Sequence, residues 1–430
     1  MEDNKKYFHA LQVKTQKCVA CMKCVRVCPT AALRIRDGKV QMDEKRCIDC
    51  GRCISACKYG ALVPWSDSLE ITKAKKYKVA ILSTAYAGQF SDKVSYATAI
   101  KAMYHLGFDE VLEESMITEY YGKMIKEYLK SHPQIRPVLS SNCPAVVRLI
   151  QVRFPSLLPN VLHLESPMSV LAMYYRQKLH LEKNIPDADI GIYQIVPCIS
   201  QVTAVHQPEG NISDIENGAI SIQEVFGEAL QVLPEAAHDD RKIEIHTKGL
   251  SWSVSRMEAA DLDDGRIKTL AVSGIPNVIE ILLKIENQQI DPYDFIIFHS
   301  CTDGCVGGVL NVENPFIASS RIRHIISIEK DTKFEDDQIM ELFQSGEFKV
   351  TPLEGRSIMK LSSDIKTALE KMKRIHQINA TLPGLDCSAC GSPTCITLAE
   401  DIVEGKATME DCVVLLRKKV KNNRKKVIEV

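Results

Sequence analysis

Sixteen cysteines decide what chemistry this chain can do. They fall in three regions: Cys18, Cys21, Cys24, Cys28, Cys47, Cys50, Cys53 and Cys57; then Cys143, Cys198, Cys301 and Cys305; then Cys387, Cys390, Cys395 and Cys412. Eight, four and four make four sets of four, so none is left over for a disulfide or a sensor thiol. Thiolates a few residues apart hold soft metals, zinc or iron-sulfur clusters above all. The N-terminus, MEDNKKYFHALQVKTQKC, has no apolar signal core. Clustered spacing without a secretory signal points to metal thiolates in a reducing, cytoplasmic compartment.

The first eight cysteines form two runs. Cys18, Cys21, Cys24 and Cys28 follow C-x2-C-x2-C-x3-C-P with Pro29, and Cys47, Cys50, Cys53 and Cys57 repeat the spacing with Lys58 in place of proline. Zinc sites pair two separated dyads or bring in histidine, and the closing -x3-C-P argues against them. The runs resemble those of bacterial two-cluster ferredoxins, where the fourth cysteine of each run ligates the other cluster. The resemblance implies one 4Fe-4S cluster on Cys18, Cys21, Cys24 and Cys57, and a second on Cys47, Cys50, Cys53 and Cys28. Between the runs, LRIRDGKVQMD reads as a hairpin turning at Asp37-Gly38. Such clusters have no substrate pocket; they conduct electrons.

In the central region an apolar run, FIIFHS, ends at Cys301, with Cys305 four residues on and Gly304, Gly307 and Gly308 around them. VLSSNCPA puts Cys143 just past a short apolar run, and IGIYQIVPC does the same for Cys198. Buried strands that end in cysteines at glycine-permitted turns can deliver thiolates to one centre. These three stretches resemble the cluster-binding motifs of the iron-only (FeFe) hydrogenases, over roughly residues 77 to 330. The resemblance implies that Cys143, Cys198 and Cys301 ligate a 4Fe-4S cubane. Cys305 would bridge the cubane to a di-iron unit, the two together forming the H-cluster. Maturase proteins would supply that unit.

Departures from the family pattern are informative. Catalytic members carry a proton-relaying cysteine where this chain has Asn142, which does not titrate near neutrality. A lysine that hydrogen-bonds a cyanide ligand is replaced by Gln201. Two methionines against the di-iron unit fall on Val196 and His299. Ser166 corresponds to the serine of the family's Ser-Pro segment, and Glu119 to one acidic relay residue; the second aligns ambiguously near Gly122. His299 reads as a replacement proton donor or as a hydrogen-bonded core histidine. Intact ligands with altered surroundings retune a metal site more readily than they abolish it. The combination resembles the sensory branch of the family, which implies slow, reversible oxidation of dihydrogen to protons and electrons in an anaerobe, serving as a hydrogen or redox sensor. A non-catalytic electron-transfer protein that holds the cubane without the di-iron unit is the alternative. His299 as the proton donor of a fast hydrogenase is a third.

Cys387-x2-Cys390-Gly391-x3-Cys395, with Cys412 after LAEDIVEGKATMED, resembles the small four-cysteine Fe-S domain of corrinoid iron-sulfur proteins. A helix beginning near Thr394 would fold Cys412 back onto the other three; zinc is the alternative metal. The tail LLRKKVKNNRKKVIEV reads as a solvated basic helix, or as a docking helix for a partner.

The elements that must position these groups follow from periodicity. KVAILS, IGIYQIV, KTLAVSGI and DFIIFHS read as strands, and SYATAIKAMYHLG, Pro144 to Phe154, the run from Ser166 and PNVIEILLKIE read as helices. Alternating strands and helices predict α/β lobes with mainly parallel sheets, ligands gathering at the carboxyl ends of strands. The expected organisation is a ferredoxin module over 1–75, a two-lobed hydrogenase-like domain over 76–360, and a small helical Fe-S domain with the basic tail over 361–430. With 430 residues, 45% hydrophobic, 25% charged and a net charge of -1, the chain is an ordinary globular one with no overall field for nucleic acid and no run long enough to span a bilayer. A ferredoxin-like or signalling protein is the expected redox partner.

Overall fold

The computed structural model describes residues 6–210, 215–262, 265–356 and 364–428. The expected boundary at 360/361 and the last two residues of the basic tail lie outside them. The chain divides into two compact units: a larger one of Met1–Ala10, Ile48–Gly51 and Pro64–Gly355, and a smaller one of Leu11–Cys47, Arg52–Val63 and Arg356–Val430.

The smaller unit contains strands β1 (Leu11–Val13), β2 (Leu33–Arg36), β3 (Lys39–Met42) and β4 (Leu62–Pro64). β2 and β3 pair antiparallel from Leu33↔Met42 to Arg36↔Lys39. Asp37 and Gly38 both take positive φ, 51° and 72°, which is what a two-residue hairpin needs to match strand twist. β1 pairs with β4. Short helices Lys23–Val27 and Arg52–Ala56 carry Cys24 and Cys53. Farther along the chain come helices Ile365–Thr381, Cys395–Val403 and Val413–Ile428, packed around Ile375, Leu382, Leu398, Ala399 and Cys412. Thr394 caps the second of them by accepting from Thr397 N at 3.2 Å, satisfying an otherwise orphaned donor.

The ferredoxin-type hairpin and the C-terminal cysteine loop interlock within this unit. Ile35 N donates to Gly391 O at 2.8 Å, and a Cβ at Gly391 would lie 2.1 Å from Ile35 O. Asp401 Oδ2, almost fully buried, accepts from Arg34 Nε at 2.8 Å, Arg36 Nη2 at 2.6 Å and Ser392 Oγ at 2.7 Å. Arg46 pairs with Glu400 at 2.9 Å. Two cations on one buried carboxylate offset its desolvation, which a single ion would not tolerate.

The larger unit is α/β with parallel sheets. Its strands are β5 (Tyr77–Leu82), β6 (Glu110–Glu113), β7 (Val138–Leu139), β8 (Ile190–Val196), β9 (Gly218–Ser221), β10 (Thr269–Ser273) and β11 (Phe295–His299). One four-stranded sheet runs β6-β5-β8-β9 and one three-stranded sheet runs β10-β11-β7, every pair parallel. β8 and β11 are buried along their whole length, which is why they read as unbroken apolar runs. Strand register decides where the connecting loops emerge. Leu82 lies level with Ile195, and Ser273 with His299, so neighbouring strands release their next residues at the same sheet edge. Helices Tyr96–His105 and Ile222–Ala237 cover the first sheet, and Pro144–Arg153 and Ile275–Glu286 the second.

Candidate metal centre

Cys143, Cys198 and Cys301 stand just past β7, β8 and β11, at the carboxyl ends of the strands. Cys143 and Cys198 also stand directly before helices Pro144–Arg153 and Ile199–His206, and Pro144, which has no N–H, suits a first helical position where that donor would have no intrahelical partner. Glycine makes the convergence possible. A Cβ at Gly308 would lie 2.3 Å from Pro197 O, so only glycine lets the Cys305 loop close against the Cys198 turn. Gly304, at φ +89°, turns the chain between Cys301 and Cys305.

The structure brings these four thiols together. Burial first, then the neighbouring Cys198 and Cys143, raise the Cys301 thiol. Burial, the Glu114 carboxylate and the other three cysteines raise Cys305. Burial also raises Cys198. A buried, mutually repelling set of thiols ionises only beside a cationic centre, so the donors fit a bound iron-sulfur cubane. Cys50, within the same unit, also acts on Cys301.

Around the thiols, His299 is buried in the core, its Nδ1 3.9 Å from Cys305 Sγ and its Nε2 2.6 Å from Glu258 Oε1. Burial opposes the charged ring, but the Glu258 carboxylate outweighs it and raises the histidine's pKa. Glu114 Oε2 accepts from Thr84 N at 3.0 Å and from the hydroxyls of Ser83 and Thr84 at 3.2 Å. Gln201 Oε1 lies 3.6 Å from Cys198 Sγ. A thiolate accepts rather than donates, so a hydrogen bond to the ionised sulfur could come only from the amide's Nε2. Asn142 Oδ1 is buried without a hydrogen-bond partner. Val196 ends β8 in the core. Ser166 caps helix Pro167–Lys183 and donates to Ser169 Oγ at 3.0 Å.

Asn142, Ser166 and Gln201 share the wall of a cavity of about 100 Å³ with Arg148, Glu165 and Glu216. Burial, and the nearby Glu216, push Glu165 up to about 7. Glu119 lies elsewhere, on the exposed side of helix Thr118–Ser131, where it pairs with Lys248 at 3.3 Å. The carboxylates that do approach the thiols, Glu114 and, through His299, Glu258, carry no motif; they arrive by tertiary packing.

In the smaller unit, Cys57 joins the first three cysteines. Burial, offset in part by Val25 N–H, and then Cys18, Cys21 and Cys57 push the Cys24 thiol up to about 11. Burial opposes ionisation of Cys57 itself, but backbone N–H groups from Leu62, Tyr59, Ala61 and Gly60 outweigh it and hold its pKa below the ordinary value. Cys28 Sγ accepts from Ala32 N at 3.2 Å. Cys387, Cys390, Cys395 and Cys412 line one small cavity with Leu398 and Val414, four sulfur donors in an apolar wall.

Parallel sheets delivering thiolates from their carboxyl edges, in a chain that also carries a second, cysteine-rich unit, define an iron-sulfur protein on a hydrogenase-type frame. The model of the iron-only hydrogenase large subunit, C-terminal domain, matches residues 76–226 and 221–309, more than half of the chain, and the chain belongs to that family. A 4Fe-4S dicluster domain model matches 17–61, and a model of an Fe-S cluster domain matches 382–414. The structure resembles apo FeFe-hydrogenase of Chlamydomonas reinhardtii in a cysteine-to-histidine variant (TM-score 0.52, 14% identity, 67% of this chain and 98% of that one). It also resembles a glutamate-to-alanine variant of the same enzyme (TM-score 0.51, 15% identity, the same coverage). At such identity the likeness is one of fold. Among curated proteins, an uncharacterized protein of Methanocaldococcus jannaschii is 38% identical over 60 residues, 14% of this chain and 27% of that protein. The acetyl-CoA decarbonylase/synthase complex subunit gamma of the same organism is 39% identical over 49 residues, 11% of this chain and 10% of that subunit. The chain thus spans about a quarter or less of these relatives' lengths. Among the described residues no helix is long and apolar enough to cross a membrane.

Proposed function

We propose that this FeFe-hydrogenase-like iron-sulfur protein reversibly oxidises dihydrogen to protons and electrons, slowly, and serves to sense hydrogen. The observation that carries the reading is the pairing of four convergent buried thiols with a changed wall: Asn142 and Gln201 line one cavity at the two positions where fast catalysis would want titratable or charged groups. A di-iron unit held in part by Cys305 would supply the chemistry of splitting dihydrogen. The chain's own residues would do the rest. Cys143, Cys198, Cys301 and Cys305 would hold the H-cluster. The amide of Gln201 would donate a hydrogen bond without adding charge. Asn142 would orient a neighbour but would not accept a proton, which slows its removal. His299, fixed by Glu258, would donate toward the Cys305 sulfur and so tune it. The ferredoxin-type and C-terminal cysteine sets would carry three further 4Fe-4S clusters, moving electrons to a redox or signalling partner. Maturases would load the di-iron unit.

Asn142's unpartnered carbonyl favours a second reading as well, in which the position serves no proton transfer and the chain is an electron-transfer protein holding only cubanes. Infrared spectroscopy of the protein matured with a synthetic di-iron cofactor separates the two. Carbonyl and cyanide bands that shift between nitrogen and dihydrogen are expected of the sensor. Absence of such bands, with about four irons retained per cysteine set, leaves the electron-transfer reading.

A further inference from the structure

The C-terminal cysteine set opens to solvent on one side. Cys387 is exposed, and the wall of its cavity includes Leu385 and Val413, which are 62% and 49% exposed. From Val413 the apolar surface continues along helix Val413–Ile428. Val414 and Leu415 pack into the core, while Leu416 and Val420, at 43% and 47%, stay in water on the same face as Val413. Single exposed apolar side chains are ordinary, but a contiguous set beside a binding site marks a contact surface. The same helix carries seven lysines and arginines and no acidic residue, and Arg417 and Lys421 fall on the apolar face by helical spacing.

The backbone of the same cysteine set meets the ferredoxin-type segment. Arg26, on the helix between Cys24 and Cys28, donates through Nη2 to Cys387 O at 3.1 Å. Arg36 Nη1 donates to Cys390 O at 3.2 Å. The two metal-binding loops are therefore one side chain apart, and the buried Asp401 pairs hold them in register. A centre with one edge against another cluster site and one edge in solvent is placed to pass electrons outward.

We propose that the C-terminal cysteine set is the chain's electron port, and that the face formed by Leu385, Val413, Leu416, Arg417, Val420 and Lys421 docks an acidic one-electron iron-sulfur carrier protein. This rests on reading the cysteine sets as clusters. The step transfers one electron: the C-terminal cluster is oxidised by one, the carrier is reduced by one, and no bond or proton changes. The ferredoxin-type clusters re-reduce the port. A small apolar patch with a basic rim suits a weak, fast, charge-steered encounter rather than a permanent complex.

The test uses the full chain with its clusters reconstituted, reduced chemically in the absence of dihydrogen. An oxidised acidic two-iron ferredoxin is the probe, and a basic c-type cytochrome the contrast. Calorimetric Kd and the second-order rate of ferredoxin reduction are measured across ionic strength. Both are expected to weaken with salt. Arg417→Glu combined with Lys421→Glu is expected to lower rate and affinity at least about tenfold at low salt, with the gap closing at high salt and iron content unchanged. Leu416→Ser is expected to weaken binding at every salt concentration. Equal rates and Kd in the charge-reversed and parent proteins, or faster reduction of the basic cytochrome, would overturn the proposal. Because the reductant is chemical, a missing infrared response to dihydrogen leaves this result standing, and the converse holds equally.

Discussion

In the sensor reading, Asn142 is the residue at which rate is set. An amide donates and accepts hydrogen bonds but moves no proton at neutral pH. Asn142→Cys is expected to raise dihydrogen uptake by the matured protein roughly a hundredfold, the low end of what a placed acid-base group contributes. Dye-linked turnover checks it; an unchanged rate would place the bottleneck elsewhere. Glu165, in the same cavity wall, makes a separate prediction about stability. The folded state keeps its proton to about 7, whereas the ordinary glutamate value is 4.5. Between those two values the unfolded chain is the first to lose its proton. Stability therefore falls as pH climbs through that window and levels off above it, by up to about 3 kcal/mol at roughly 1.4 kcal/mol per pKa unit. Glu165→Gln should flatten that dependence in denaturant titrations at pH 5 and pH 8. A slope equal to the parent's would assign the dependence to Glu113, which burial also pushes to about 7.

At the scale of elements, the loops matter more than the strands. Gly308→Ala would force a Cβ to within 2.3 Å of Pro197 O and pry the Cys305 loop from the Cys198 turn. The expected outcome is a loss of about four irons per chain in the purified protein. Gly227→Ala, in helix Ile222–Ala237 with nothing within 4 Å of the new methyl, should instead stabilise by up to about 1 kcal/mol, read as a higher denaturation midpoint. Much of this level was legible in the sequence. β8 and β11 are buried on both faces and so appear as apolar runs, each followed closely by a cysteine. The Asp37-Gly38 turn and the Thr394 cap announce themselves by residue type. β9, four residues of Gly218–Ser221, is too short and too weakly patterned to read. The carboxylates near the thiols were not legible either. Glu119 has the right neighbourhood in sequence but faces solvent, whereas Glu114 and Glu258 come close only because distant segments pack together. Arg34, Arg36 and Asp401 likewise sit in stretches that look separately like a charged hairpin and an acidic helix.

At the scale of the molecule, the Asp401 carboxylate ties the two segments of the smaller unit through Arg34 and Arg36. Asp401→Ala leaves Arg34 and Arg36 mostly buried beside nothing that neutralises them, and removing one partner of a buried pair costs about 3–5 kcal/mol. Faster proteolysis between residues 364 and 412 in Asp401→Ala than in the parent would confirm it; equal resistance would show that the Ile35–Gly391 contact and Arg46–Glu400 suffice.

The same interlocking has a bearing on how the protein comes into being. The chain enters the smaller unit at Leu11, leaves it at Cys47, re-enters for Arg52–Val63, and returns only at Arg356. On the ribosome, the two N-terminal cysteine runs emerge before most of the larger unit, and the residues from Arg356 that join their unit emerge after it. Synthesis of the two parts of the smaller unit is thus separated by the time taken to make nearly three hundred residues. Through that interval the Leu33–Arg36 strand lacks the partners that Gly391 and Asp401 later bring to it.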